Sequence, residues 1–138
     1  SDLRTIISCI KVADNLERIG DNISNIAEVR KRIKITNERT LLRFKTMERL
    51  ASLMLEDVYT AFKESNLELI DEIILRDQDI DAVFVQITTS DIFEESDAFL
   101  TGQIQLTAKY LERIGDHIKS IAEHIYYIET GNTYEKNN

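Results

Sequence analysis

The sequence predicts an all-α protein, and three observations carry that prediction. Among 138 residues there is no proline and there are only four glycines, too few turn formers for many short strands. Apolar residues recur at alternating three- and four-residue spacings over long stretches, as amphipathic helices require. Charged residues make up 30% of the chain, enough to clothe the outer faces of such helices. The length suffices for an ordinary buried core.

The helices follow in order. Cys9, Val12, Leu16, Ile19, Ile23, Ile26 and Ile33 form one apolar seam, interrupted at Arg30. This predicts a long first helix, with Ser1 and Asp2 at its start and Arg30, Lys31 and Arg32 at its negative end. On that seam Cys9 reads as a buried small hydrophobe. Ile35-Thr36-Asn37 is the connection, with Thr36 or Asn37 as the next N-cap. A second helix is expected from about Glu38 to Glu64, with Met47, Leu50, Ala51, Met54, Val58, Ala61 and Phe62 inward. Ser65-Asn66 then turns the chain into a third helix carrying Ile70, Ile73, Ile74, Ile80, Val83, Phe84 and Ile87. From Thr88 to Asp97 the pattern weakens into a loop, with Ser96 or Asp97 capping the last helix. That helix shows Leu100, Ile104, Leu111, Ile114, Ile118, Ile121, Ile125 and Ile128 and ends near Gly131. The polar residues 132–138 are expected to be a disordered tail.

Composition excludes several classes of function. The balance of 25 acidic against 17 basic residues leaves a net charge of −8, a poor basis for binding nucleic acid. A single cysteine excludes an internal disulfide framework and a multi-cysteine zinc site. No apolar run approaches a membrane span and no signal peptide stands first, so a cytoplasmic protein is expected. There is no glycine-rich phosphate loop and no serine or cysteine nucleophile with a base, so no catalytic residue is assigned. No Glu-x-x-His occurs, which argues against a ferritin-like di-iron bundle.

An internal repeat stands above this background. Residues 13–28 recur 95 positions later as residues 108–123, with 11 of 16 positions identical. Helical periodicity explains matched isoleucines, but not a matched Glu-Arg-Ile-Gly-Asp, and the 95-residue spacing suggests duplication of a whole small bundle. Each copy carries two carboxylates four residues apart, Glu17 with Asp21 and Glu112 with Asp116. Taking the isoleucine seam as the core positions a and d places them at b and f, away from it. Asp77 and Asp81 repeat the spacing on the third helix. Like charges at that spacing repel, so their recurrence suggests a hard cation held by carboxylate oxygens. If the last two helices pack side by side, Asp77, Asp81, Glu112 and Asp116 converge; a solvated acidic face is the competing reading. Gly20 and Gly115 imply close approach of another helix or of a ligand. Arg18 and Arg113 pair with neighbouring carboxylates or approach an anion; His117 and His124 read as hydrogen-bonded surface side chains, with entry into a metal site the alternative for His117 beside Asp116.

The segments Leu16 to Asp21 with Asn25 to Glu28, and Leu111 to His117 with Ile121 to Glu123, closely resemble the PhoU family. The acidic run Asp77 to Asp81 and the opening Asp2-Leu3-Arg4 match further elements of that family. The resemblance implies two three-helix bundles. Residues 1–35 would then be the last helix of an incomplete first bundle, and residues 36–131 the complete second bundle. It also implies metal ions, Mg, Mn, Fe or Zn, on Asp77, Asp81, Glu112 and Asp116, with Glu17 and Asp21 as half of a second site. Asn22 stands where the motif often has histidine, and Ser120 where it often has asparagine.

By resemblance the function is that of a non-enzymatic negative regulator of phosphate uptake and phosphate-responsive signalling. Its implied partners are the phosphate ABC-transporter ATPase and a phosphate-sensing histidine kinase. Two alternatives remain: a cytoplasmic domain of a larger sodium–phosphate cotransporter, or a metal-dependent bundle enzyme. The last three helices are expected to close a bundle with no vacant seam for a fourth. The first helix would then drive self-association, as in a homodimer.

Overall fold

The structure is a computed structural model and describes residues 2–135. Among these residues four helices form in chain order: α1 (Asp2–Arg32), α2 (Glu38–Glu64), α3 (Glu68–Thr89) and α4 (Ala98–Thr130). A short 3₁₀ turn, Asp91–Glu94, lies between the last two.

The caps predicted for the second and last helices form, while Ser1, expected at the start of the first, lies outside the described residues. The Asn37 side chain accepts from the Thr40 amide at 3.0 Å, and Asp97 accepts from Leu100 at 3.0 Å, each meeting an otherwise unpaired N–H. At the far ends Ser65 and Gly131 adopt left-handed backbone, with φ of 52° and 74°, and close their helices by bonding to Ala61 and Tyr127. The expected loop from Thr88 is shorter than its composition suggests. Thr88 and Thr89 still belong to α3, their hydroxyls donating to the carbonyls of Phe84 and Val85 in its last turn. Arg43 of α2 then grips both Gln86 and the buried Asp91, tying the 3₁₀ turn to the bundle.

The helices α2, α3 and α4 pack as an up-down bundle around Met47, Met54, Ile70, Ile73, Ile80, Ile87, Ile118 and Ile121, all fully buried. Phe62 was expected inward but is exposed, because Val58 and Ala61 already occupy the inward edge of that turn.

The largest departure concerns α1. It runs antiparallel along α4, so α4 does have room for a fourth helix, contrary to expectation. Arg4 lies over Tyr127 at one end, and Asn15 meets Ser120 at 3.2 Å near the middle. The face that α1 buries is Ser8, Asn15, Ile19, Asn22 and Val29, with Val12 and Ile26 beside it. That row is one position out of step with the isoleucine seam over much of its length. Cys9, Leu16 and Ile23 are consequently exposed. Small polar residues can face a neighbouring helix because they satisfy themselves locally. The amides of Asn15 and Asn22 donate to the carbonyls of Lys11 and Arg18 on their own helix.

The tail also differs in its first residues. Tyr134 packs edge-on against Tyr126, with ring centroids 5.3 Å apart, and donates to Asp71 of α3. Burial, followed by Asp71, pushes its hydroxyl up to about 12. The rest of the tail, residues 136–138, lies outside the described residues.

Candidate metal centre

The α3 and α4 helices are antiparallel, and where they cross Asp77 and Asp81 face Gly115 and Asp116. Carboxylate oxygens of Asp77, Asp81 and Asp116 all lie within 4.8 Å of one another. Their burial is graded: Asp77 is 2% exposed, Asp81 partly exposed and Asp116 exposed. The cluster therefore opens outward from a buried floor. Asp77 Oδ1 has no donor among the described residues unless a proton is shared with Asp116, an expensive state for a buried ionised oxygen.

Gly115 makes the approach possible. A Cβ there would lie 2.9 Å from Asp77 Oδ1 and 3.2 Å from Ile80 Cδ1. Its repeat partner Gly20 is different, with nothing within 4 Å of the equivalent position. Close packing thus accounts for one glycine of the pair among the described residues. Opposite effects are expected on substitution. Gly115→Ala should destabilise the protein by about 1–3 kcal/mol through overpacking. Gly20→Ala should stabilise it by up to about 1 kcal/mol through helix propensity. Thermal melts of the two variants test this, and equal shifts would contradict the packing role of Gly115.

The electrostatics follow from burial and repulsion. Burial pushes the Asp77 carboxyl up to about 7, with the negative charges of Asp81 and Asp116 adding to the effect and Lys119 opposing it. Asp81 and Asp116 are also raised, first by burial and then by carboxylate neighbours. Among these neighbours is Glu112, which binds Lys109 at 2.6 Å and lies at the edge of the cluster. Lys109 in turn lies over the Phe84 ring of α3.

Of the six residues singled out from the sequence, three come together: Asp77, Asp81 and Asp116. Glu112 flanks them with its charge engaged by Lys109. Glu17 and Asp21 are exposed on α1 and join no such group of ligand atoms among the described residues. Arg18 pairs with Asp14 at 3.2 Å, the structural ion pair its spacing suggests. His117 receives a partner that the sequence does not reveal, Asn15 Oδ1 at 2.9 Å from Nδ1. Burial, then Arg18, lowers its pKa. The burial of Asp77 was also missed, although a signal exists. Asp77 falls on the inward row of Ile73, Ile80, Phe84 and Ile87, a carboxylate on an apolar stripe.

The donor set fits a cation. Hard oxygen ligands converge, one oxygen is buried without a donor, and burial followed by carboxylate repulsion raises the proton affinities, both of which a bound positive charge would offset.

Comparison with known proteins gives a consistent result. A PhoU domain family model matches residues 1–29 and 44–125. The phosphate-specific transport system accessory protein PhoU homologue of Clostridium acetobutylicum is 30% identical over 99% of this chain and 64% of its own length. A PhoU homologue of Methanothermobacter thermautotrophicus is 35% identical over 94% of this chain and 62% of its own length. The crystal structure of the phosphate transport system regulatory protein PhoU from Streptococcus pneumoniae superimposes with a TM-score of 0.84 at 26% identity. That match covers 98% of this chain and 66% of the other. The chain thus spans less than two thirds of the length of those two curated relatives. With both copies of the repeat inside the matched segments, the chain belongs to the PhoU family.

Proposed function

We propose that the protein is a regulatory accessory of phosphate transport that works by binding partners, with a metal-loaded carboxylate cluster as part of its working form. The observation that carries the reading is the convergence of Asp77, Asp81 and Asp116 on a buried floor, within a bundle that belongs to the PhoU family. The relatives are named as accessory or regulatory proteins of phosphate transport, which supports a transporter-associated role. Asp77, Asp81 and Asp116 would hold the metal, with Glu112 released from Lys109 as a further oxygen donor. A divalent cation there cancels the repulsion and stiffens the crossing of α3 and α4.

The reading extends to a negative effect on uptake and on phosphate-responsive gene expression. It is exerted in the cytoplasm on the transporter ATPase and a phosphate-sensing histidine kinase. No helix among the described residues is long and apolar enough to cross a membrane. Glu17 and Asp21 are proposed as half of a second site, since they repeat the chemistry of Glu112 and Asp116.

Titration with Mn²⁺ tests the metal reading, and Asp116→Ala should weaken binding by at least about tenfold. Identical isotherms for wild type and variant would remove the metal from the proposal. The Mn²⁺-loaded protein should hydrolyse no phosphate ester above the metal-only blank. A hydrolytic rate that disappears in Glu112→Ala would overturn the non-enzymatic reading.

A further inference from the structure

The antiparallel pairing of α1 and α4 brings the two copies of the repeat face to face. An open groove of about 430 Å³ lies between them, walled by Arg18 and Asp21 from the first copy and Arg113 and Asp116 from the second. Arg18 and Arg113 are the same residue of the repeat, as are Asp21 and Asp116. A local two-fold relation therefore delivers two guanidinium groups to one groove, with Asn25 adding an amide. Guanidinium groups present planar, paired N–H donors that suit the oxygens of a tetrahedral anion. Asp21 and Asp116 offset the two arginines and Asp14 already engages Arg18 at 3.2 Å, so the groove as it stands offers an anion no net attraction. Asp116, however, belongs both to this groove and to the cluster with Asp77 and Asp81.

We propose that the groove between α1 and α4 binds a phosphate-class oxyanion through Arg18 and Arg113, conditionally on a divalent cation neutralising Asp116. The inference rests on the metal reading of the carboxylate cluster and adds the ligand to which that cluster responds. With Asp116 neutralised, one of the three carboxylates at the groove no longer opposes an anion, which can then engage Arg113 and replace Asp14 on Arg18. Linkage then requires the reverse effect: the anion must tighten the cation by the same factor. A cation site and an anion site sharing one aspartate would make the protein's metal state depend on phosphate-group concentration.

The test measures Mn²⁺ affinity by calorimetry in chloride and in millimolar inorganic phosphate at matched ionic strength. A parallel arm uses phosphatidylcholine vesicles with and without phosphatidic acid. Phosphate is expected to tighten Mn²⁺ by about fivefold or more, in the usual range of coupling between sites. Arg18→Gln and Arg113→Gln, both at exposed positions, should abolish that gain, each variant being compared with its own affinity in chloride. Tightening by inorganic phosphate assigns the free anion, and tightening only by phosphatidic acid vesicles assigns a lipid headgroup. Normal Mn²⁺ binding with no gain from either source overturns the anion site alone. A gain that survives in both arginine variants overturns it as well. Failure of Mn²⁺ to bind in chloride and phosphate alike overturns the metal reading, and this proposal with it.

Discussion

Metal-free Asp77→Asn is expected to melt higher than the wild type at pH 8 and to bind Mn²⁺ at least about tenfold more weakly. Both effects come from one carboxylate. Asp77 sits at the floor of the cluster, and burial with two acidic neighbours pushes it up to about 7. Its ordinary value is 3.8, so between these pH values the folded protein retains a proton that the unfolded chain releases. Stability from this group is therefore complete at low pH and is lost as pH rises through 7. The shift corresponds to about 4 kcal/mol as an upper bound, since each unit is about 1.4 kcal/mol. Asp81 and Asp116 act in the same direction. His117 and His124 act oppositely, because their lowered values favour the folded state as pH rises through the histidine range.

The contrast between wild type and Asp77→Asn isolates the aspartate. The variant should gain on the order of 5 °C at pH 8, and the gain should shrink to roughly a third near pH 5 and vanish only below the ordinary carboxylate value of 3.8. Thermal melts at both pH values, with and without Mn²⁺, check this. A variant less stable than wild type at pH 8 without metal would show that Asp77 is not held under repulsion.

The 138-residue chain is expected to self-associate through the outer face of α1. Leu3, Ile6, Ile7, Ile10, Leu16 and Ile23 are between 45% and 67% exposed. Burying a large apolar side chain is worth roughly 1.5–3 kcal/mol, so this row represents on the order of 10 kcal/mol as an upper bound. Docking α1 on α4 does not discharge it, because the docked face is the separate row of Ser8, Asn15, Ile19, Asn22 and Val29. Light scattering at high micromolar concentration should report a dimer or larger species. Ile6→Glu with Ile10→Glu should return the monomer without unfolding it, since both side chains face outward. A wild-type monomer whose α1 amides resist hydrogen exchange would refute the prediction. A monomer with α1 unprotected would instead show that this helix leaves α4 in solution.

The candidate site was half legible. The four-residue spacing of Asp77 with Asp81 and of Glu112 with Asp116 is visible in the sequence, and helix geometry turns that spacing into a shared face. What spacing does not carry is the depth of each carboxylate. Glu112 and Asp116 share one copy of the motif, yet one is engaged by Lys109 and the other faces Asp77. The lysine lies three residues before Glu112, so that pairing was readable. The approach of Asp116 to Asp77 depends on how closely α3 crosses α4 at Gly115. The first copy has the same residues without that neighbour, and Glu17 and Asp21 remain at the surface.

The sequence by itself determined the four helices, the caps at Asn37 and Asp97, the duplication and the all-α class. These are properties of neighbours a few residues apart, and local hydrogen bonding and periodicity decide them. The docked face of α1, the depth of Asp77 and the placement of Arg18 and Arg113 on one groove were decided only in the tertiary structure. A helix such as α1 carries more apolar surface than one neighbour can cover, so its pattern alone permits more than one docking register. The choice falls to the row where Ser8, Asn15 and Asn22 allow close approach to α4 while keeping their own polar groups satisfied.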